Sequence, residues 1–291
     1  MLIIKISDGE IRILLIGRTG TGKSSTGNRI LGFDAFEARN SPSAITKKIQ
    51  CGTAERYGKK LVVVDTPGVF DTKMTKEEVH REIAKLYQFM SPGIHAFLLF
   101  IKGGRLTQED QEAVNYFKDI FGDDLQSFVI IIFINKDDLE KGNVTFEKYI
   151  SEIDSKSSLY DLIRGRRDRC ISIGFSTVFT EEREEELKTI LSKIDNVRRQ
   201  NGGHFFTNNL FRDVEKKLQK NEEKRMLDQE NKLSDVAKKD QKLDRPNSRL
   251  RHETRQRVSN NDIAFYILLS GVVLIVECIV YKAFQYYVRR R

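Results

Sequence analysis

Residues Gly17-Arg18-Thr19-Gly20-Thr21-Gly22-Lys23-Ser24 fit the spacing GxxxxGK[ST] and stand between an apolar run at 11–16 and a helix-like stretch at 25–31. Glycines at this spacing let backbone N–H groups turn inward around a polyphosphate, and the positive end of the following helix strengthens their field. Lys23 would reach the β- and γ-phosphate oxygens, and the Ser24 hydroxyl is a ligand for Mg²⁺. The phosphate-lining set therefore runs from Gly17 through Ser25. Asp65-Thr66-Pro67-Gly68 closes a second apolar run. There the Asp65 carboxylate can hold Mg²⁺ through water, and the Gly68 N–H can sense a γ-phosphate. Asn135-Lys136-Asp137-Asp138 then reads NKxD. Guanine presents two adjacent donors, N1–H and the 2-amino group, which the Asp138 carboxylate accepts together; adenine has an acceptor at N1 and no 2-amino group. The Lys136 stem would cover the base, and Asn135 would tie this loop to the phosphate loop. GTP or GDP with Mg²⁺ is the expected cofactor set, and an ATPase or kinase reading fails on NKxD. A threonine that closes over Mg²⁺ and the γ-phosphate is sought between Lys23 and Asp65. Thr46, in the polar stretch 40–47, is preferred to Thr53, which gives Ser24, Thr46 and Asp65 as the expected metal ligands.

The elements that must carry these loops follow from periodicity. Continuous apolar runs at 11–16, 61–64, 96–101, 128–134 and 170–173 read as strands buried on both faces. Between them, stretches with helical spacing lie at 76–90, 108–121, 146–153 and 182–197. Strands alternating with helices predict an α/β domain with a mainly parallel sheet. No repeat of 20 to 50 residues is present.

The chain has 291 residues and a formal charge of +8. Residues 1–211 carry 31 basic and 30 acidic side chains, whereas 212–257 carry 15 and 10, and 258–291 carry 4 and 2. The nucleotide domain is nearly neutral, so the excess gives no support to nucleic acid as a partner. Cys51, Cys170 and Cys278 show no CxxC spacing, which excludes a disulfide scaffold and a Cys/His zinc site and suggests a reducing compartment. The first ten residues have too short an apolar run for a signal peptide. His95 opens a buried run and reads as a core or interface histidine rather than a base. His80 and His204 read as solvated, as does the basic run 164–169.

Composition divides the chain into a nucleotide domain at 1–202, a charged helical extension at 203–243 whose first turns pack on the domain, and a basic linker at 244–262. A transmembrane helix at 263–284 and a short basic tail at 285–291 follow. Residues 263–281 hold a single charge, Glu277, in a 19-residue apolar window. That is about the length a helix needs to cross a bilayer. Tyrosines and basic residues flank the window, and the arms at 249–257 and 289–291 suit anionic head groups. The expectation is a single-pass anchor in an intracellular membrane, inserted after synthesis, with the nucleotide domain in the cytosol.

One segment is more specific than these motifs. The GNRILG continuation of the phosphate loop, the DTPGVFD segment and the box from Ser91 to Asp110 resemble AIG1-type GTPases of immunity-associated proteins, over roughly residues 11–200. The resemblance implies a Ras-like P-loop GTPase fold related to septins and the Toc chloroplast receptors. It also implies homo- or hetero-oligomers formed across the nucleotide face in the GTP state, and in several members a hydrophobic membrane anchor. The stretch 169–174 departs from the family pattern after the last core strand, which leaves the fifth guanine-contacting element unassigned. Ras-type hydrolysis places a Gln after the DxxG glycine to orient water. Here Val69 and Phe70 follow Gly68, so an isolated monomer should hydrolyse GTP slowly. Within the family box Arg105 would act in trans on a partner's nucleotide; its alternative is a pair with Glu109 or Asp110 on its own helix. The two functions that follow are a membrane-anchored switch with slow or dimer-stimulated GTP hydrolysis, and a GTP-binding membrane scaffold with negligible hydrolysis.

Overall fold

A computed structural model describes residues 10–38, 48–67, 76–104, 106–134, 136–174 and 180–236. Its strands form a six-stranded sheet in the order β2-β3-β1-β4-β5-β6. These are β1 (Glu10–Gly17), β2 (Gln50–Arg56), β3 (Lys59–Asp65), β4 (Ala96–Lys102), β5 (Val129–Ile134) and β6 (Cys170–Ile173). Strands β3, β1, β4, β5 and β6 run parallel, and β2 pairs antiparallel with β3. β2 escaped the apolar-run reading because QCGTAER is largely polar. It lies on the sheet edge, and only Gly52 within it is fully buried.

Alternate residues of the central strands feed two cores, one on each face. Ile13, Leu15, Leu98, Phe100, Ile130 and Ile132 meet Ile30, Leu31, Leu187, Ile190 and Ile194 on one side. These last five lie on helices α1 (Lys23–Leu31) and α7 (Thr180–Gln200). On the other side Leu14, Phe97, Leu99, Ile131 and Phe133 meet residues of α2 (Lys76–Met90), α3 (Gln108–Phe121) and α6 (Ser158–Ile163). Covering both faces is what makes the uninterrupted apolar runs of β1, β4 and β5 soluble as a sheet. Two short helices, α4 (Lys136–Lys141) and α5 (Phe146–Ser151), lie between β5 and α6. α3 starts at Thr107, whose hydroxyl accepts the Asp110 N–H while the Asp110 carboxylate accepts the Thr107 N–H. This reciprocal capping box uses two otherwise unpaired donors of the first turn.

The final described helix, α8 (Asn209–Val236), begins after an extended stretch in which Phe206 bridges Ile94 through two backbone hydrogen bonds of 2.8 and 2.9 Å. Phe206, Leu210, Phe211, Val214 and Leu218 all join the core on the α2 side, so the first turns of this extension are part of the packed domain. Gly93 permits the approach, since a Cβ there would fall 2.2 Å from the Phe206 carbonyl oxygen. Further along, Met226 and Leu227 are exposed. No helix among the described residues is long and apolar enough to cross a membrane. The linker 244–262, the window 263–284 and the tail 285–291 lie outside the described residues.

Candidate nucleotide site

Five parallel strands end on one edge of the sheet, so the loops that follow them gather there, as in other open α/β sheets. The glycine loop turns between β1 and α1. Gly17 is held where a Cβ would fall 2.6 Å from the Phe100 carbonyl oxygen, and Gly22 starts α1 in the left-handed region at φ 81°. α1 has neither a side-chain cap nor an acidic residue in its first turn, so the positive end of the helix is left to the loop. Thr21 closes the loop by donating from Oγ1 to the Arg18 carbonyl at 2.7 Å. Thr19, Gly20 and Ser25 are exposed at its surface.

Lys23 is buried beneath the loop, and its Nζ donates to the carbonyls of Gly17 at 3.2 Å and Arg18 at 2.9 Å. Burial pulls its pKa down to about 8, and the neighbouring Asp65 carboxylate partly offsets that. Asp65, at the end of β3, is fully buried and accepts the Ser24 Oγ proton at 2.6 Å. Thr66 seals the strand exit, donating from Oγ1 to the Leu15 carbonyl at 2.8 Å. Two of the expected metal ligands, Ser24 and Asp65, are thus brought together, and the carboxylate and hydroxyl oxygens match the hard donors that Mg²⁺ prefers. On the base side, Lys136 and Asp138 stand in the first turn of α4, Lys136 half-buried and Asp138 exposed. Thr46, Gly68, Val69, Phe70, Arg105 and Asn135 lie outside the described residues.

The structure also displays contacts that motif reading passed over. Arg18, inside the phosphate loop, reaches Glu109 at 2.7 Å and Asp110 at 3.2 Å, which ties the loop to the start of α3. These are the carboxylates that the sequence offered to Arg105. The loop between β4 and α3 is held from two further sides. The Gly103 N–H donates to the Ile134 carbonyl at 3.1 Å, and the Tyr149 hydroxyl donates to the Gly104 carbonyl at 2.9 Å. The Thr107-x-x-Asp110 spacing was a visible capping signal, whereas the reach of Arg18 across 91 positions was not.

His95 lies at the opposite edge of the sheet, before β4, where it is 2% exposed. Its Nδ1 accepts the Arg12 backbone N–H at 3.0 Å, and the His95 backbone N–H donates to the Arg12 carbonyl at 2.9 Å. Burial, then the charges of Arg12 and Arg198, push its pKa down to about 2. It is a neutral core histidine, distant from the strand ends that carry the site. His204 is exposed, and the side chain of His80 lies outside the described residues. Within the basic run, Arg169 is fastened to the Ser127 carbonyl at 2.6 Å and to Gln200 at 2.7 Å.

A glycine loop between the first strand and first helix, a buried Asp at the end of β3 and a Lys-x-Asp pair after β5 define a P-loop α/β domain of the GTPase type. The AIG1 family model matches residues 11–225, and the chain belongs to the AIG1 family. It is 31% identical over 210 residues to immune-associated nucleotide-binding protein 7 of Arabidopsis thaliana, covering 72% of this chain and 67% of that relative. With GTPase IMAP family member 8 of Homo sapiens it shares 31% identity over 199 residues, covering 68% of this chain and 29% of the relative. It matches immune-associated nucleotide-binding protein 9 of Arabidopsis thaliana at 30% identity, spanning 61% of that protein's length. Among solved structures, Toc33 from Arabidopsis thaliana in complex with GDP and Mg²⁺ aligns with a TM-score of 0.45 at 17% identity, over 65% of this chain and 85% of that one.

Proposed function

We propose that this chain is a guanine-nucleotide-dependent membrane switch that pairs through its nucleotide face in the GTP state, with slow hydrolysis alone and faster hydrolysis when paired. The observation that carries the reading is the convergence of buried Lys23, the Ser24–Asp65 contact and the Lys136/Asp138 pair on one edge of the sheet. Lys23 and the backbone of residues 17–25 bind the polyphosphate, and Asp138 selects guanine by accepting its two donors. Ser24 and Asp65, with Thr46, hold Mg²⁺, which when bound neutralises charge on the phosphoryl oxygens. Val69 and Phe70 have no group that orients a water. Arg105 of a second copy therefore supplies the transition-state charge, a contribution worth roughly 10³ or more in rate. The apolar segment 263–284 anchors the switch in an intracellular membrane, with basic flanks against anionic head groups.

The full chain, purified in detergent micelles, tests the reading through GTP turnover measured over a range of protein concentrations. Turnover per molecule should rise with concentration, and Arg105→Ala should abolish the rise while leaving GDP affinity within about twofold. Turnover that is negligible at every concentration, with a GTP-analogue-loaded form that still oligomerises, favours the scaffold reading, for which the Val69-Phe70 pair already speaks. A GTP-loaded form that stays monomeric throughout overturns both.

A further inference from the structure

One carboxylate on α7 joins both halves of the nucleotide site. Glu186 is 7% exposed. Its Oε1 accepts the Gly174 N–H at 2.9 Å and lies 3.9 Å from Lys136 Nζ, while its Oε2 accepts from Arg29 Nη2 at 2.8 Å. Arg29 also donates to the Arg183 carbonyl at 3.2 Å, which fastens it to α7 a second time. Arg29 belongs to α1, the helix that rises out of the phosphate loop. Gly174 is the first residue after β6, in the stretch that departs from the family pattern. Lys136 carries the stem that covers the base in the reading above. A single side chain therefore links the phosphate helix, the base-side lysine and the chain leaving the last strand.

A cleft of about 260 Å³ runs beside β6 and α7 here, with Lys136, Ile171, Ser172 and Glu186 among its walls. Gly174 is also pressed against the NKxD loop, since a Cβ there would fall 2.6 Å from Asp137 Oδ1. The position of Gly174 is thereby transmitted to the residue between Lys136 and Asp138. Asp137 is the chain neighbour of Asp138, the carboxylate that meets the base edge in the reading above.

We propose that Glu186 is a positioning residue for base recognition: it holds Gly174 and the Lys136 stem in the register in which Asp138 meets guanine. The proposal rests on the guanine reading and adds to it the residue that sets base discrimination from outside the NKxD motif. Glu186→Gln is the informative variant. It keeps the shape and one acceptor oxygen for the Gly174 N–H but removes the charge that draws Arg29 and Lys136, and its amide presents donors to cations that are themselves donors.

The test measures equilibrium affinities of the full chain in detergent for Mg–GDP and Mg–ADP, with wild type and Glu186→Gln side by side. Both ligands bind the same folded population through the same phosphates, so their ratio is insensitive to a loss of folded protein. We expect Glu186→Gln to weaken GDP about tenfold, leave ADP unchanged within about twofold, and so shrink the GDP/ADP preference about tenfold. Equal weakening of both nucleotides, or a preference unchanged within about twofold, would show a merely structural pin and overturn the proposal. Wild type that fails to prefer GDP would instead overturn the guanine reading and, with it, this one.

Discussion

His95 and Lys23 are both buried ionisable side chains, yet their surroundings ask opposite things of them. Lys23 sits under the glycine loop beside Asp65, with its Nζ on the Gly17 and Arg18 carbonyls, so the residual cost of its charge falls where a polyphosphate would offset it. His95 lies among Arg12, Phe205 and the start of β4, with its Nδ1 used as an acceptor, which only the unprotonated ring nitrogen provides. Its folded pKa, about 2, is below that of the unfolded chain, near 6.5. Its contribution to stability is therefore complete above about pH 6.5 and is lost as pH falls from there toward the folded value. The slope below pH 6 should approach about 1.4 kcal/mol per pH unit from this one group. Urea melts between pH 7 and pH 4.5 should show that extra slope in wild type and its disappearance in His95→Gln. Parallel curves would contradict the assignment. The phosphate-site residues were legible because their spacing is dictated by the ligand. Glu186 lies within an acid-rich run, and its one signal was its place four residues before Ile190, on the stripe that α7 buries.

At the scale of elements, α8 shows how composition can understate packing. The extension from 203 onward is highly charged, but Leu210, Phe211, Val214 and Leu218 recur at spacings of three and four and face α2. Phe211 is fully buried, with its ring 4.4 Å from Tyr87, and Asn208 beside it donates to the Tyr87 hydroxyl at 3.1 Å. Ser91 adds a buried hydrogen bond to Glu215 of 2.6 Å. The family match, which runs to residue 225, includes this docked half. Phe211→Ala should lower unfolding free energy by about 3 to 5 kcal/mol, the range for removing a buried aromatic ring. Chemical denaturation of the full chain in detergent checks this, and a loss under about 1 kcal/mol would mean that the first turns of α8 are peripheral to the fold. β2 teaches the converse. An edge strand needs no apolar run, so its sequence carries no signal of the kind that exposed β1, β4 and β5.

For the whole molecule, charge and hydropathy separate a nearly neutral nucleotide domain from a basic, charged extension that leads into the apolar window at 263–284. If residues 263–284 span a bilayer as proposed, the full chain expressed in cells should resist extraction from membranes by alkaline carbonate. The double substitution Val272→Arg with Leu274→Arg should release it, since each arginine near a bilayer centre costs about 2.5 to 3.5 kcal/mol. Wild type recovered in the soluble fraction would remove the anchor from the reading while leaving the nucleotide site untouched.

The amino-acid sequence by itself determined the phosphate loop, the strand-ending Asp65, the Lys136-x-Asp138 pair and the alternation of buried strands with helices. Each of these depends on local spacing or on short-range periodicity. Tertiary structure decided what long-range contacts make. It bound Arg18 to the start of α3, placed His95 in a sealed network at the far edge of the sheet, and folded the first turns of α8 into the core. It also set Glu186 between α1, Lys136 and the exit of β6. Apart from the short step between Gly174 and Glu186, such contacts join residues 50 to 157 positions apart, and their partners are chosen by the sheet order and strand direction rather than by neighbours along the chain.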